Sequence, residues 1–185
     1  EEIFQMIYVH FAEGTEEIEF VTIIDLLRRS SIDAVSVSIT GKTRVAGAHG
    51  IVIETDTTFE EADYDKCDMI VLPGGMPGTL HMAEHSGLTD MIKSFNASGK
   101  RLAAICAAPM VFAGCGILSG KKAVIYPGME EHLGDAEVSS SRVQTDGNII
   151  TSQGPGTAME FALEIIRTVK GEAAADEIRR ELLMI

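Results

Sequence analysis

Leu102-Ala103-Ala104-Ile105-Cys106-Ala107-Ala108-Pro109 is an uncharged stretch whose periodicity changes at its one sulfur. Leu102 to Ile105 has the length and apolar content of a buried strand, and Ala107 to Ala113 reads as a helix with Pro109 in its first turn, where proline is tolerated. The same alternation occurs twice upstream. Ile3 to Phe11 is an apolar, β-branched strand from which Gly14-Thr15 leads into a helix over Glu16 to Ser30. Met69 to Leu72 is a strand closed by Pro73-Gly74-Gly75, followed by a helix over Gly87 to Phe95. Between them Ala34 to Ile39 alternates Val35, Val37 and Ile39 with Ser36 and Ser38, and Ile51 to Ile53 is a shorter strand set off by Gly41, Gly47 and Gly50.

Downstream, strands are expected at Val124 to Tyr126, Arg142 to Thr145 and Asn148 to Thr151, the last two joined through the hairpin signal Asp146-Gly147. Gly156-Thr157 opens a helix through Val169 with Phe161, Leu163, Ile165 and Ile166 on its apolar face, and Glu172 to Met184 is a last helix. Recurrent strand-helix units with apolar strands define an α/β fold: a mostly parallel sheet, helices on both faces, crossovers right-handed. In such a sheet the chemistry belongs at the carboxyl ends of strands.

The chain has 185 residues, 45% apolar and 23% charged, which suits a single domain spanning residues 1–185 with a full core. Its net charge of −13 repels phosphate backbones and anionic lipid. The adjacent basic pairs Arg28-Arg29, Lys100-Arg101, Lys121-Lys122 and Arg179-Arg180 are too scattered for a nucleic-acid stripe, so nucleic acid is excluded as a primary partner. The longest uncharged run, Leu102 to Leu118, contains Pro109, Gly114 and Gly116 and reads as strand plus helix rather than a membrane span. Cys67, Cys106 and Cys115 are odd in number and lack Cys-x-x-Cys spacing, and the sequence starts without the basic and apolar segments of a signal peptide. A reducing, cytoplasmic setting is expected.

Three strand ends carry candidate chemistry. Cys106, between strand and helix start, has the setting of a nucleophile elbow, and helix N–H groups there favour thiolate over thiol. The alternative is a small buried hydrophobe, which is the reading for Cys67 and Cys115. Glu19 falls between Ile23 and Leu26 on the helical wheel, away from Thr22, Asp25 and Arg29. A carboxyl in that apolar arc loses water, stays protonated and can donate to a thiolate; dipole compensation in a first helical turn is the competing explanation and suffices for Glu16 and Glu17. Gly74 and Gly75 permit close backbone approach, and the N–H groups of that pair and of Ala107 are candidate oxyanion donors. Gly154-Pro155-Gly156-Thr157 lacks the lysine of a Walker loop and reads as a turn. His10, His49, His81, His85 and His132 show no metal-binding motif. Neither a metal nor a cofactor is expected.

Four motifs in order, Glu13-Gly14-Thr15-Glu16-Glu17-Ile18-Glu19, Leu72-Pro73-Gly74-Gly75, Ala103-Ala104-Ile105-Cys106-Ala107-Ala108-Pro109 and Thr151-Ser152-Gln153-Gly154-Pro155-Gly156-Thr157, resemble the ThiJ/PfpI superfamily, specifically its Parkinson-disease deglycase (glyoxalase III-like) branch. The resemblance implies a flavodoxin-like domain forming a homodimer, with Cys106 as the reactive cysteine, Glu19 as its protonated partner, and Gly75 and Ala107 as backbone donors. Two positions depart from it. Tyr126 in Ile125-Tyr126-Pro127 stands where many members have a histidine, and Ala107-Ala108 replaces the branch's alanine-glycine. A neutral tyrosine, with a reference pKa near 10, is a poor base, so Tyr126 is assigned only a pocket-lining place and a cysteine peptidase or amidotransferase reading loses ground. The leading expectation is cofactor-free conversion of small 2-oxoaldehydes to 2-hydroxy acids; the alternative is a redox-responsive stress protein or chaperone sensing oxidation at Cys106.

Overall fold

Period-two alternation of apolar residues places the first strand between two cores. In the structure, a computed structural model describing residues 5–184, strand β1 (Met6–Phe11) sends Ile7, Val9 and Phe11 to one face and Tyr8 to the other. Ile3 and Phe4 of the expected first strand lie outside the described residues. After β1 come helix α1 (Glu17–Arg29), β2 (Asp33–Ser38), the short strands β3 (Arg44–Ala46) and β4 (Val52–Glu54), β5 (Thr57–Thr58) and β6 (Met69–Leu72). Helices α2 (Gly78–Glu84) and α3 (Ser86–Ala97) lead to β7 (Arg101–Ile105) and α4 (Pro109–Gly114). The chain closes with β8 (Lys122–Ala123), β9 (Glu137–Val138), β10 (Val143–Asp146), β11 (Ile149–Ser152), α5 (Ala158–Lys170) and α6 (Glu172–Glu181).

Seven strands form the central sheet in the order β10-β11-β7-β6-β1-β2-β5, parallel throughout except for the β10–β11 edge hairpin. Phe20, Ile23 and Leu27 of α1 and Phe161, Ile165 and Ile166 of α5 cover one face; Met82, Leu88, Ile92, Val111 and Phe112 of α2, α3 and α4 cover the other. This is the flavodoxin-like α/β arrangement with helices on both sides. No helix among the described residues is long and apolar enough to cross a membrane.

The strand order reverses beside β1. The chain leaves β1 for α1 on one face and leaves β6 for α2 on the other, so the loops following these two neighbouring strands diverge and open a crevice at their carboxyl ends. Two expectations are corrected here. The segment Val124 to Tyr126 is not a strand: pairing occurs one step earlier, between Lys122-Ala123 and Glu137-Val138. The Val124 and Tyr126 N–H groups are taken instead by Thr151 Oγ1 and the Cys106 carbonyl, outside any ladder. Helix α2 was not anticipated, the expected helix after Gly75 beginning only at Gly87; α2 ends at His85, whose Nδ1 accepts from Leu88 N at 3.0 Å and starts α3.

Candidate functional site

Cys106 adopts φ +65°, a left-handed backbone conformation that a side chain beyond glycine takes only when its surroundings enforce it. Both of its backbone groups are held. Pairing of Ser152 with Ile105 sets the Ser152 carbonyl to accept from Cys106 N at 3.0 Å, and the Cys106 carbonyl accepts from Tyr126 N at 2.9 Å. The chain is bent at the strand end and the half-buried sulfur stands above the sheet. Helix α4 begins at Pro109, with Ala107 and Ala108 forming the intervening turn.

Gly74 lies directly against this bend. A Cβ there would approach Cys106 Cβ to 2.6 Å and Ala107 N to 3.0 Å. Gly75, at φ +92°, has room for no side chain, since a Cβ would sit 2.3 Å from Glu16 N. The loops after β1 and β6 therefore interlock backbone to backbone, with Glu16 N donating to Gly74 O at 2.9 Å. That contact fixes the start of α1 against the cysteine turn.

Glu19, in the first turn of α1, is fully buried. Its Oε1 accepts from Gly74 N at 2.9 Å, while Oε2, also buried, has no partner meeting hydrogen-bond geometry. Cys106 is nonetheless close enough for each group to shift the titration of the other through hydrogen bonding. A proton on Oε2 directed at the sulfur satisfies the orphaned atom.

Burial pushes the Glu19 carboxyl up to about 7, outweighing the Gly74 N–H and Cys106, which lower it. Burial, then the charge of Glu19 and the hydrogen bond to it, push the Cys106 thiol up to about 12 against the lowering influence of the Ala107 and Gly75 N–H groups. Backbone N–H groups at this turn do favour the thiolate, as expected, but they are outweighed. Helix α4 has only six residues, and desolvation beside a carboxylate outweighs two backbone donors. The two groups titrate as a pair, and a second negative charge in this space is strongly disfavoured.

Tyr126 is 47% exposed; its ring packs near Gly154, where a Cβ would meet Cδ2 at 3.3 Å. Cys67 is buried and donates to Met69 O at 3.2 Å, and Cys115 lies half-buried at the C-terminal end of α4, near Thr89 O. Neither joins Cys106.

The structure adds a feature the sequence reading passed over. The antiparallel pair β3–β4 carries a turn onto the start of α1, with Gly14 N donating to Ala46 O and Ala48 N to Thr15 O. There the buried Glu17 carboxylate accepts from His49 N at 2.7 Å, Ile51 N at 3.3 Å and His49 Nδ1 at 2.9 Å. His49 Nδ1 is also 3.6 Å from Glu16 Oε2. The donor atoms of Glu16, Glu17 and His49 all lie within 4.8 Å of one another, the spacing of a metal site, although Glu17 is already engaged by hydrogen bonds on both oxygens. The partners are some thirty residues apart in the chain, and Gly47, where a Cβ would reach 2.5 Å from the Glu17 carboxyl, was the one local sign of the contact.

Fold and site together define an α/β protein with a cysteine at a strand end facing a buried carboxyl. The chain belongs to the DJ-1/PfpI family, whose sequence profile matches residues 5–168. It is 40% identical over 178 residues to Protein dj-1beta of Drosophila melanogaster, covering 95% of each chain. The crystal structure of that fly protein superposes with a TM-score of 0.94 at 38% identity, over 99% of this chain and 100% of the other. A structure described as oxidised Toxoplasma gondii DJ-1 gives a TM-score of 0.93 at 36% identity, covering 97% of this chain and 98% of that one. A protein of Pyrococcus abyssi named a deglycase is 31% identical over 129 residues, 68% of this chain and 76% of its own length.

Proposed function

We propose that the protein converts small 2-oxoaldehydes such as methylglyoxal to 2-hydroxy acids without a cofactor, with Cys106 as nucleophile and Glu19 as acid and base. The observation that carries this reading is the buried, partnerless Oε2 of Glu19 beside the enforced bend at Cys106. The reactive form has the proton of the pair on Glu19 and the charge on sulfur. The sulfur adds to the aldehyde carbon, and the carbonyl oxygen takes the proton from Glu19 to give a hemithioacetal and leave Glu19 a carboxylate. Glu19 removes the proton from that carbon and returns it to the neighbouring carbon through an ene-diol, leaving a thioester. Water then forms the carboxyl, the carbon–sulfur bond breaks, and lactate leaves with the thiol restored. The N–H groups of Gly75 and Ala107 hold the oxygen charge as it develops, and Gly74 and Tyr126 line the pocket. The name of the archaeal relative supports chemistry on carbonyl adducts.

The test is lactate formation from methylglyoxal without glutathione. Cys106→Ser is expected to lose at least about 10³-fold in kcat/KM and Glu19→Gln roughly 10²- to 10⁴-fold. Absence of lactate from the wild-type protein overturns the assignment.

A second reading is favoured by the half-exposed sulfur and its two N–H neighbours: oxidation to a sulfinate would be stabilised there, making the protein a redox-responsive stress protein or chaperone. Intact-mass measurement after graded peroxide decides it, selective oxidation at Cys106 being the required result. For both readings we propose a single domain working as a homodimer in the reducing cytoplasm. Ile18 and Val21 of α1 are 59% and 49% exposed, Ile51 of the β3–β4 turn is exposed as well and donates through its N–H to Glu17, and we propose these three as the surface for a second copy. Sedimentation of Ile18→Glu against wild type checks this; an unchanged mass removes that surface.

A further inference from the structure

We propose that Thr157 and Thr151 are positioning residues for Cys106, each securing with its hydroxyl one of the two backbone hydrogen bonds that hold the cysteine in its left-handed conformation. This deepens the function proposed above and rests on Cys106 being the reacting group, whichever reaction it performs.

The stretch Thr151-Ser152-Gln153-Gly154-Pro155-Gly156-Thr157 reads from sequence as a strand end and a turn. In the structure Thr151, Ser152 and Thr157 are all buried, so each hydroxyl finds its partners within the fold. Ser152 Oγ donates to Arg142 O at 2.6 Å, because a carbonyl only accepts. Its one hydrogen is spent there. In the 2.7 Å contact between the two hydroxyls Thr157 Oγ1 is therefore the donor, and it accepts in turn from Gly154 N at 3.1 Å. Thr157 thus grips the chain on both sides of Gln153. That grip fixes the Ser152 carbonyl, which accepts from Cys106 N at 3.0 Å.

The second bond leads back to the same segment. Thr151 Oγ1 accepts from Val124 N at 3.0 Å, and two residues further on Tyr126 N donates to Cys106 O at 2.9 Å. The β8–β9 ladder stops at Ala123, so the threonine oxygen supplies the anchor that a neighbouring strand would otherwise give. Both bonds on Cys106 therefore depend on hydroxyls of one segment, reached by separate routes.

A φ of +65° is disfavoured for a residue with a Cβ and persists only where the surroundings hold it. The bend sets the sulfur beside Glu19 of α1, the titratable group that faces it, and beside the Gly75 and Ala107 N–H groups. Releasing either bond lets the backbone relax and takes the sulfur away from those partners.

The experiment follows alkylation of Cys106 by iodoacetamide in the intact protein across pH, with the modified peptide read by mass. The thiolate forms a carbon–sulfur bond and iodide leaves, so the rate tracks the thiolate fraction at that one sulfur. Thr157→Val keeps the side-chain shape and removes the hydroxyl. It is expected to move the midpoint of the pH–rate profile by about one unit or more toward the ordinary cysteine value near 8.5, about tenfold in thiolate fraction at a pH below both midpoints. Thr151→Val should move it in the same direction, and carries the test if Thr157→Val does not fold. Thr157→Ser and Thr151→Ser, which restore the oxygen, should return the wild-type profile. Thr55→Val is the control: its buried hydroxyl donates to Thr43 O and Thr57 O two residues before β5, at the opposite edge of the sheet from β10 and β11. It should lower stability and leave the profile alone. Profiles unmoved by both valine variants overturn the inference, as do serine variants that fail to restore them, a Thr55→Val shift of equal size, or a wild-type Cys106 that the reagent does not modify. If the profiles move as expected while no lactate forms, the positioning role stands and the glyoxalase-type activity falls. Lactate formation with unmoved profiles removes the positioning role alone.

Discussion

At Cys106 and Glu19 the question is where one proton sits. Both groups are pushed up, Glu19 to about 7 and Cys106 to about 12, and burial is the first cause in each. The proposed mechanism requires the first ionisation of the pair to appear on sulfur. Ultraviolet thiolate absorbance should therefore rise in a step near pH 7 that is missing in Cys106→Ser; absorbance that rises only in strong alkali assigns that first ionisation to Glu19 and removes the resting nucleophile. Glu19 was legible in the sequence because its helical-wheel position lies among Ile23 and Leu26. Cys106 was legible as a strand end followed by proline, but its left-handed φ was not, since no glycine marks it. The upward push on the Cys106 thiol was not legible, because its burial and the carboxyl beside it come from packing that one strand end does not reveal.

The elements that build the site are turns packed without intervening side chains. Gly75 and Gly41 both have positive φ, +92° and +76°, yet only Gly75 is crowded, while a Cβ on Gly41 would meet nothing within 4 Å. Backbone strain alone puts Gly41→Ala at about 1 kcal/mol. Gly75→Ala adds overlap with Glu16 N and should cost roughly 3 kcal/mol or more, and it should also slow Cys106 alkylation by displacing the β6 loop from the sulfur. Denaturant titration with alkylation rates checks the pair; equal losses would show that the loops after β1 and β6 are not held in register. The parallel strands β1, β2, β6, β7 and β11 were legible from alternation or from short apolar runs, and the long helices α1, α3 and α5 from their apolar faces, whereas the two-residue β5 was not read. The contacts that close the site were not. Glu17 reaches His49 across 32 residues, and β3 is three residues long, so no local pattern announced either. The helix α2 was hidden by the glycines that let its first turn pack on Thr15, where a Cβ on Gly78 would come within 2.5 Å of Thr15 N.

For the whole molecule, two buried groups on opposite faces of the sheet oppose each other in the dependence of stability on pH. His10 on β1 is buried, with Nδ1 3.2 Å from Val71 O and Nε2 2.6 Å from Tyr64 Oη. A carbonyl only accepts, so Nδ1 carries the proton and Nε2 accepts from the tyrosine, an arrangement that a second proton would break. Burial is the main cause that lowers His10 to about 4 from an ordinary value near 6.5. Between those values the unfolded chain binds a proton that the native chain refuses, so stability is present above about 6.5 and is lost as pH falls toward 4. Glu19 has the reverse sign. Its carboxyl, raised to about 7 from 4.5, keeps a proton in the native chain that the unfolded chain has released, so stability is present below 4.5 and is lost as pH rises toward 7. Each contribution amounts to about 3 kcal/mol, and the windows overlap from 4.5 to 6.5. Glu17 and Asp56, both held below the ordinary carboxylate range by their hydrogen bonds, act below that window, and His49 is exposed and contributes little. The wild-type protein should accordingly show a nearly flat stability profile from pH 4.5 to 6.5. Glu19→Gln should unmask His10 and make stability rise with pH, while His10→Gln should unmask Glu19 and make it fall. Denaturant midpoints at several pH values check the slopes, which are independent of any constant loss from either substitution. Parallel profiles for the two variants would mean that Glu19 is not the proton-retaining group at the cysteine site.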